Sequence, residues 1–144
     1  MSVTEHRKAG AISVPCYVLT ISDTRTLETD TSGTAIAAAL TRAGHHVVGR
    51  GLVRDVAPEV TVNLQQALVG EALAIITTGG TGIAARDTTF EAVSALIERP
   101  MPGFGELFRA LSFHDIGAAA MLSRACAGIS KGRVIFVLPG SHRA

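Results

Sequence analysis

The residues best suited to chemistry are those of Thr78-Gly79-Gly80-Thr81-Gly82 and the acids that follow, Asp87 and Glu91. Ahead of them Leu73-Ala74-Ile75-Ile76 is a continuous apolar run that stops abruptly, the pattern of a strand buried on both faces that runs into a glycine turn. Asp87, and Thr88 with Glu91 three residues on, predict a helix start closed by a capping box. A backbone without side chains brings its N–H groups close to an anion, and a helix N-terminus adds partial positive charge. Strand, loop and helix together are expected to form a phosphate-binding corner, although glycine also serves turns that bind nothing. A Walker A loop is excluded, because Gly82 is followed by Ile83-Ala84-Ala85 and not by Lys-Ser or Lys-Thr. Gly80 to Ala85 fits G-x-G-x-x-A, but the ribose-binding acid expected about 20 residues on falls in Pro100-Met101-Pro102-Gly103, a loop pattern.

Other polar groups stand where apolar runs end. Val14 to Ile21 is a strand pattern closed by Ser22-Asp23-Thr24-Arg25, and open α/β sheets bind ligands at such carboxyl ends. Ser22 and Asp23 equally suit a simple turn. Arg54-Asp55 closes a second strand, His45 to Val53, and Asp55 on its own suits a helix cap better than a catalyst. Pro139-Gly140-Ser141 closes the last strand, Val134 to Leu138. His45 and His46 point to opposite faces of their strand and cannot chelate one metal together. Cys16 in a strand and Cys126 in an Ala-rich helix are expected as buried thiols, not a disulfide or metal pair.

The elements that must position these groups alternate along the chain. Asp30 or Thr31 caps a helix that buries Ile36, Ala37, Leu40 and Ala43 and stops at Gly44; Pro58 opens another with Val60, Leu64, Ala67 and Leu68. Phe90 to Ile97 is a helix, Met101 to Glu106 a tight loop before a short helix Leu107 to Leu111, and His114 or Asp115 to Cys126 a last helix ended by Gly128. Apolar strands alternating with helices predict an α/β fold, a three-layer α/β/α sandwich with a mostly parallel sheet. Met1 to Ala11 is expected to be a mobile tail and residues 12–144 a single domain.

Composition narrows the partners. Hydrophobic residues make up 47% and charged ones 17%, which excludes disorder; 13 Lys+Arg against 12 Asp+Glu leave +1, so no polybasic face recommends nucleic acid or a membrane surface. The polar N-terminus is unlike a signal peptide, and the Ile116 to Ile129 stretch, broken by Arg124, is too short to span a bilayer; a cytoplasmic protein is expected.

Several ordered motifs together carry a family resemblance: Ser22-Asp23-Thr24-Arg25, Asp30-Thr31-Ser32-Gly33, Thr78 to Gly82 with Arg86-Asp87, Pro102-Gly103-Phe104-Gly105-Glu106, Leu122-Ser123-Arg124 and Leu138-Pro139-Gly140-Ser141. Across nearly its whole length the chain resembles the MoaB/MogA family of molybdenum-cofactor biosynthesis proteins, and is closer to MoaB. The resemblance implies a molybdopterin-binding domain, usually a trimer, whose active members transfer AMP from Mg-ATP to the terminal phosphate of molybdopterin. Other members bind the pterin without established transfer, and partners among other cofactor-synthesis proteins are possible. It implies catalytic and Mg²⁺-binding roles for Asp55 and Asp87. Substrate-binding roles fall on Ser22, Asp23, Thr78, Gly79, Gly80, Thr81, Gly82, Glu106, Pro139, Gly140 and Ser141. The chain departs from the family at Thr89-Phe90-Glu91, where Thr-Pro-Glu is common, and at Ser141-His142, where Ser-Pro is common. It also stops at Ala144, where the family continues into a C-terminal helix that the chain is expected to lack.

Overall fold

The computed structural model describes residues 2–9, 12–85 and 87–140. In chain order the elements are α1 (Val3–Ala9), β1 (Pro15–Ile21), α2 (Thr31–Arg42), β2 (His46–Val53), α3 (Ala57–Ala67), β3 (Ala74–Thr78), α4 (Thr89–Leu96), β4 (Arg99–Pro100), α5 (Pro102–Ile116), a 3-10 helix (Gly117–Leu122), β5 (Cys126–Ser130) and β6 (Arg133–Leu138). The apolar runs become one six-stranded sheet in the order β2-β1-β3-β6-β5-β4. β2, β1, β3 and β6 pair in parallel, and β5 runs antiparallel to both β6 and β4.

Side-chain alternation along the strands sends one set of residues to each face. Leu19, Ile75 and Ile135 pack under Val60 and Leu64 of α3 and Val93 of α4, all essentially without solvent exposure. Fully burying side chains of this size contributes about 1.5–3 kcal/mol each. Cys16, Ile76 and Phe136 face the other way, toward Leu40 of α2 and Phe104 and Phe108 of α5, and line two adjoining apolar cavities of 580 and 460 Å³. Helices thus cover both faces, the three-layer sandwich expected from the strand pattern.

Asp30 joins three of these elements. Its carboxylate caps α2 by accepting from the Gly33 N–H (2.9 Å) and also accepts from Thr20 Oγ1 on β1 (2.6 Å) and Arg50 Nη2 on β2 (2.9 Å). The residue is only 1% exposed. Burial acts to raise its pKa, but the hydrogen bonds from Thr20, Gly33 and Arg50 together hold it below the usual carboxylate range.

The stretch expected as a tail contains the helix α1, whose Val3 is exposed. Three local expectations are corrected. Met101 to Glu106 is no loop: Pro102 occupies the first turn of a 15-residue helix, and Gly105 lies inside it because a Cβ there would sit 2.6 Å from the Ala125 carbonyl oxygen. The helix expected to reach Cys126 ends at Gly117 (φ 64°), and Cys126 begins β5, where ladder pairing with β6 overrides the helix propensity of the alanines. Gly128 therefore lies within a strand, opposite Pro100, and does not end a helix. Both thiols are free; Cys16 is buried, Cys126 half-buried, and burial pushes each upward in pKa. No described helix is long and apolar enough to cross a membrane.

Candidate functional site

Parallel pairing brings the carboxyl ends of β1, β3 and β6 side by side on one edge. The chain leaves β1 toward β2 on one side and later returns as β3 on the other, so the β1/β3 junction is a topological switch point, where open α/β sheets place their ligand crevice. Gly79 turns the backbone there: its φ is +96°, and a Cβ would lie 2.1 Å from the Ile21 carbonyl oxygen. Its N–H donates to Leu138 O (3.0 Å), while Thr78 Oγ1 donates to Pro139 O (3.1 Å) and Ser32 Oγ of α2 to Gly140 O (3.0 Å). Thr78, Gly79, Pro139 and Gly140 are thereby gathered at one point.

Beyond Gly79 the backbone opens outward. Among the described residues the N–H groups of Gly80, Thr81, Gly82 and Ile83 have no acceptor, whereas Ala84 donates to Asp87 Oδ2 (2.9 Å). The carbonyls of Thr81 and Gly82 both accept from Arg124, which precedes β5. The capping box is not formed. Thr88 makes no side-chain cap, and Glu91 reaches Arg124 Nη1 at 2.5 Å, a bond that lowers its pKa. Asp87 likewise closes the turn from Ala84 and leaves α4 alone; its carboxylate folds back against Gly82, where a Cβ would stand 2.4 Å from Oδ2.

Ser22 carries out the turn half of its two readings, its Oγ accepting from the N–H groups of Thr24 (3.2 Å) and Arg25 (3.1 Å). Asp23 does more: Oδ1 accepts the Asp55 N–H at 2.9 Å and so links the ends of β1 and β2. Asp55 is half-buried and, among the described residues, its carboxylate has no hydrogen-bond donor; α3 starts without a side-chain cap. Glu106 is exposed on α5 beside a 180 Å³ cavity lined also by Met101, Arg109 and Cys126. Ser141 and Arg86 lie outside the described residues.

No group of three or more His, Cys, Asp or Glu side chains forms a metal cage among the described residues. A Mg²⁺ ion that arrives with nucleotide phosphates needs only one or two carboxylates from the protein. Asp55, and the Oδ1 of Asp87 that Ala84 leaves free, fit that donor chemistry. Sequence reasoning gave Arg124 no role beyond a motif, because its partners Thr81, Gly82 and Glu91 are remote in sequence and no local pattern marks them.

The fold is an open α/β domain whose carboxyl edge carries a glycine turn at the switch point, flanked by carboxylates. A family model described as "Probable molybdopterin binding domain" matches residues 17–144. Molybdenum cofactor biosynthesis protein B of Halalkalibacterium halodurans is 50% identical over 146 residues, covering 100% of this chain and 86% of the relative. A crystal structure of Molybdenum cofactor biosynthesis protein B superposes with a TM-score of 0.87 at 44% identity, over 91% of this chain and 83% of that one. The tungsten cofactor synthesizing protein MoaB from Pyrococcus furiosus gives 0.78 at 39% identity, over 90% and 83%. The chain belongs to the MoaB/MogA family of molybdenum cofactor biosynthesis proteins.

Proposed function

We propose that this protein binds molybdopterin at the carboxyl edge of β1, β3 and β6 and transfers AMP from Mg-ATP to the pterin's terminal phosphate. The observation that carries the reading is the run of unpartnered N–H groups from Gly80 to Ile83, directly after a buried strand at the switch point. Such donors suit a phosphate. Ser22, Asp23, Thr78 to Gly82, Glu106 and Pro139 to Ser141 are assigned to substrate binding, and Asp55 and Asp87 to Mg²⁺ and to alignment of the attacking phosphate. Phosphoryl transfer depends chiefly on positioning and charge neutralisation, which a pair of carboxylates with a metal supplies. A trimer acting in the cytoplasm belongs to the same reading.

One observation favours a second reading, a trimer that binds or delivers molybdopterin without chemistry. The edge arginines are occupied: Arg25 Nη1 donates to Thr31 (2.7 Å), Arg54 pairs with Glu59, and Arg124 with Glu91 and two carbonyls. Of these three arginines, Arg25, whose partner is a neutral hydroxyl, keeps its charge free to meet a triphosphate. Incorporation of label from α-labelled ATP into molybdopterin by the purified protein tests the proposal. Transfer that requires both substrates supports it; tight pterin binding without transfer supports the second reading.

A further inference from the structure

We infer that Arg124 is a positioning residue that aims the N–H groups of Gly82 and Ile83 at a ligand phosphate, acting through two peptide planes and not through its own charge. The inference rests on the reading that the glycine loop takes the phosphate of the pterin.

Arg124 stands just ahead of β5, far from the loop in sequence, and its side chain crosses to the loop beside it in space. Nε donates to the Thr81 carbonyl at 3.3 Å, and Nη2 donates to the Gly82 carbonyl. A trans peptide holds its C=O and N–H on opposite sides of one plane. Fixing the Thr81 carbonyl against the guanidinium therefore turns the Gly82 N–H away from it, and fixing the Gly82 carbonyl does the same for the Ile83 N–H. Neither N–H has an acceptor among the described residues. Two successive donors are thus presented on the side of the loop opposite Arg124, the arrangement in which backbone forms an anion-binding concavity.

The cation itself is engaged elsewhere. Nη1 lies 2.5 Å from Glu91 Oε1, and the guanidinium carbon sits 4.2 Å over the centre of the Phe90 ring. The carboxylate matches the charge and the ring fixes the plane, so the fork can hold two carbonyls in one geometry. A lysine would keep the charge on a flexible stem with one ammonium and no plane to fix. Charge and fork are therefore separable by substitution.

The test uses ¹⁵N-labelled wild type, Arg124→Lys and Arg124→Met, titrated with inorganic phosphate while the amide resonances of Gly82 and Ile83 are followed. In wild type both amides are expected to shift on binding. Both variants are expected to keep the sheet resonances, lose the Gly82 and Ile83 shifts, and bind phosphate at least about tenfold more weakly. Restoration by Arg124→Lys would assign the effect to charge, and unchanged binding in both variants would reduce Arg124 to packing; either result overturns the inference while the loop reading stands. Absence of phosphate-dependent shifts at Gly82 and Ile83 in wild type would overturn the loop reading, and the inference with it. If Arg124→Met does not fold, Arg124→Lys, which keeps an aliphatic stem over Phe90, decides the question.

Discussion

The carboxylate of Asp23 holds the backbone N–H of Asp55, Oδ1 to N at 2.9 Å, so the end of β1 sets where the end of β2 presents its acid. Asp23 itself is exposed, so the bond adds little to global stability, and its consequence is positional. Asp23→Asn keeps an acceptor in place and Asp23→Ala removes it. Both variants should melt close to wild type. Adenylyl transfer should fall about tenfold in Asp23→Ala, worth about 1.4 kcal/mol of barrier, and much less in Asp23→Asn. Equal rates for the two would remove Asp23 as the group that places Asp55.

Two glycines two residues apart predict opposite balances of stability and binding. Gly80 has φ +70°, and a Cβ there would meet Thr89 Cγ2 at 2.9 Å and Ile21 Cγ2 at 3.1 Å. Gly80→Ala should therefore cost about 1–2 kcal/mol of stability from the left-handed backbone alone. Gly82→Ala meets only the end of the movable Asp87 carboxylate. It should leave thermal unfolding almost unchanged and weaken molybdopterin binding, because Asp87 must leave its place. Chemical denaturation and pterin titration of the two variants check both statements.

The parts of the fold that were legible are those whose signal is local. Val14 to Ile21, His45 to Val53, Leu73 to Ile76 and Val134 to Leu138 are runs closed by polar or glycine clusters, and each falls in a strand of the parallel sheet. Their shared edge followed from parallel pairing, and with it the meeting of Gly79 and Gly140. What stayed hidden depends on partners distant in sequence. Gly105 looked like a loop residue until the Ala125 carbonyl showed why a helix there lacks a side chain. Cys126 looked helical until β6 took it as a ladder partner. Glu91 looked like a cap box member, yet Arg124 recruits it across 33 positions of sequence.

Acid stability should report on Asp30. Its folded pKa lies below the ordinary 3.8, so its contribution is complete above the unfolded value and is lost as pH falls through the folded one. Asp30→Asn should lose about 1.5–3 kcal/mol at neutral pH, because the hydrogen bonds from Thr20 and Arg50 lose their charged acceptor. The gap to wild type should narrow as pH falls from about 5 to about 2. Thermal unfolding across that range is the measurement, and a gap independent of pH would contradict the assignment.

An apolar patch bears on assembly. Leu107 and Leu111, one helical turn apart on α5, are each 62% exposed, and Met121 on the adjacent 3-10 helix is 79% exposed. Exposed large apolar side chains one turn apart on a helix, such as Leu107 and Leu111, suit an interaction site. Sedimentation at micromolar concentration should give three times the 14.9 kDa chain mass, and Leu111→Glu should shift the protein toward monomer without unfolding it. A wild-type monomer would contradict the trimer.

The central claim, that the β1/β3/β6 edge transfers AMP with Asp55 and Asp87, is tested most directly by single-turnover formation of adenylylated molybdopterin on wild type, Asp87→Asn and Asp55→Asn. Asp87 accepts from Ala84 and does not cap α4, and asparagine can keep that bond, so melting temperatures should barely move. The account predicts transfer by wild type that requires molybdopterin and Mg-ATP, and a fall of about a hundredfold or more in each variant, equivalent to about 2.7 kcal/mol of lost transition-state stabilisation. A wild type that transfers AMP beside variants that transfer it equally well would contradict the catalytic assignment, and a wild type that binds the pterin without transfer would contradict the adenylylation itself.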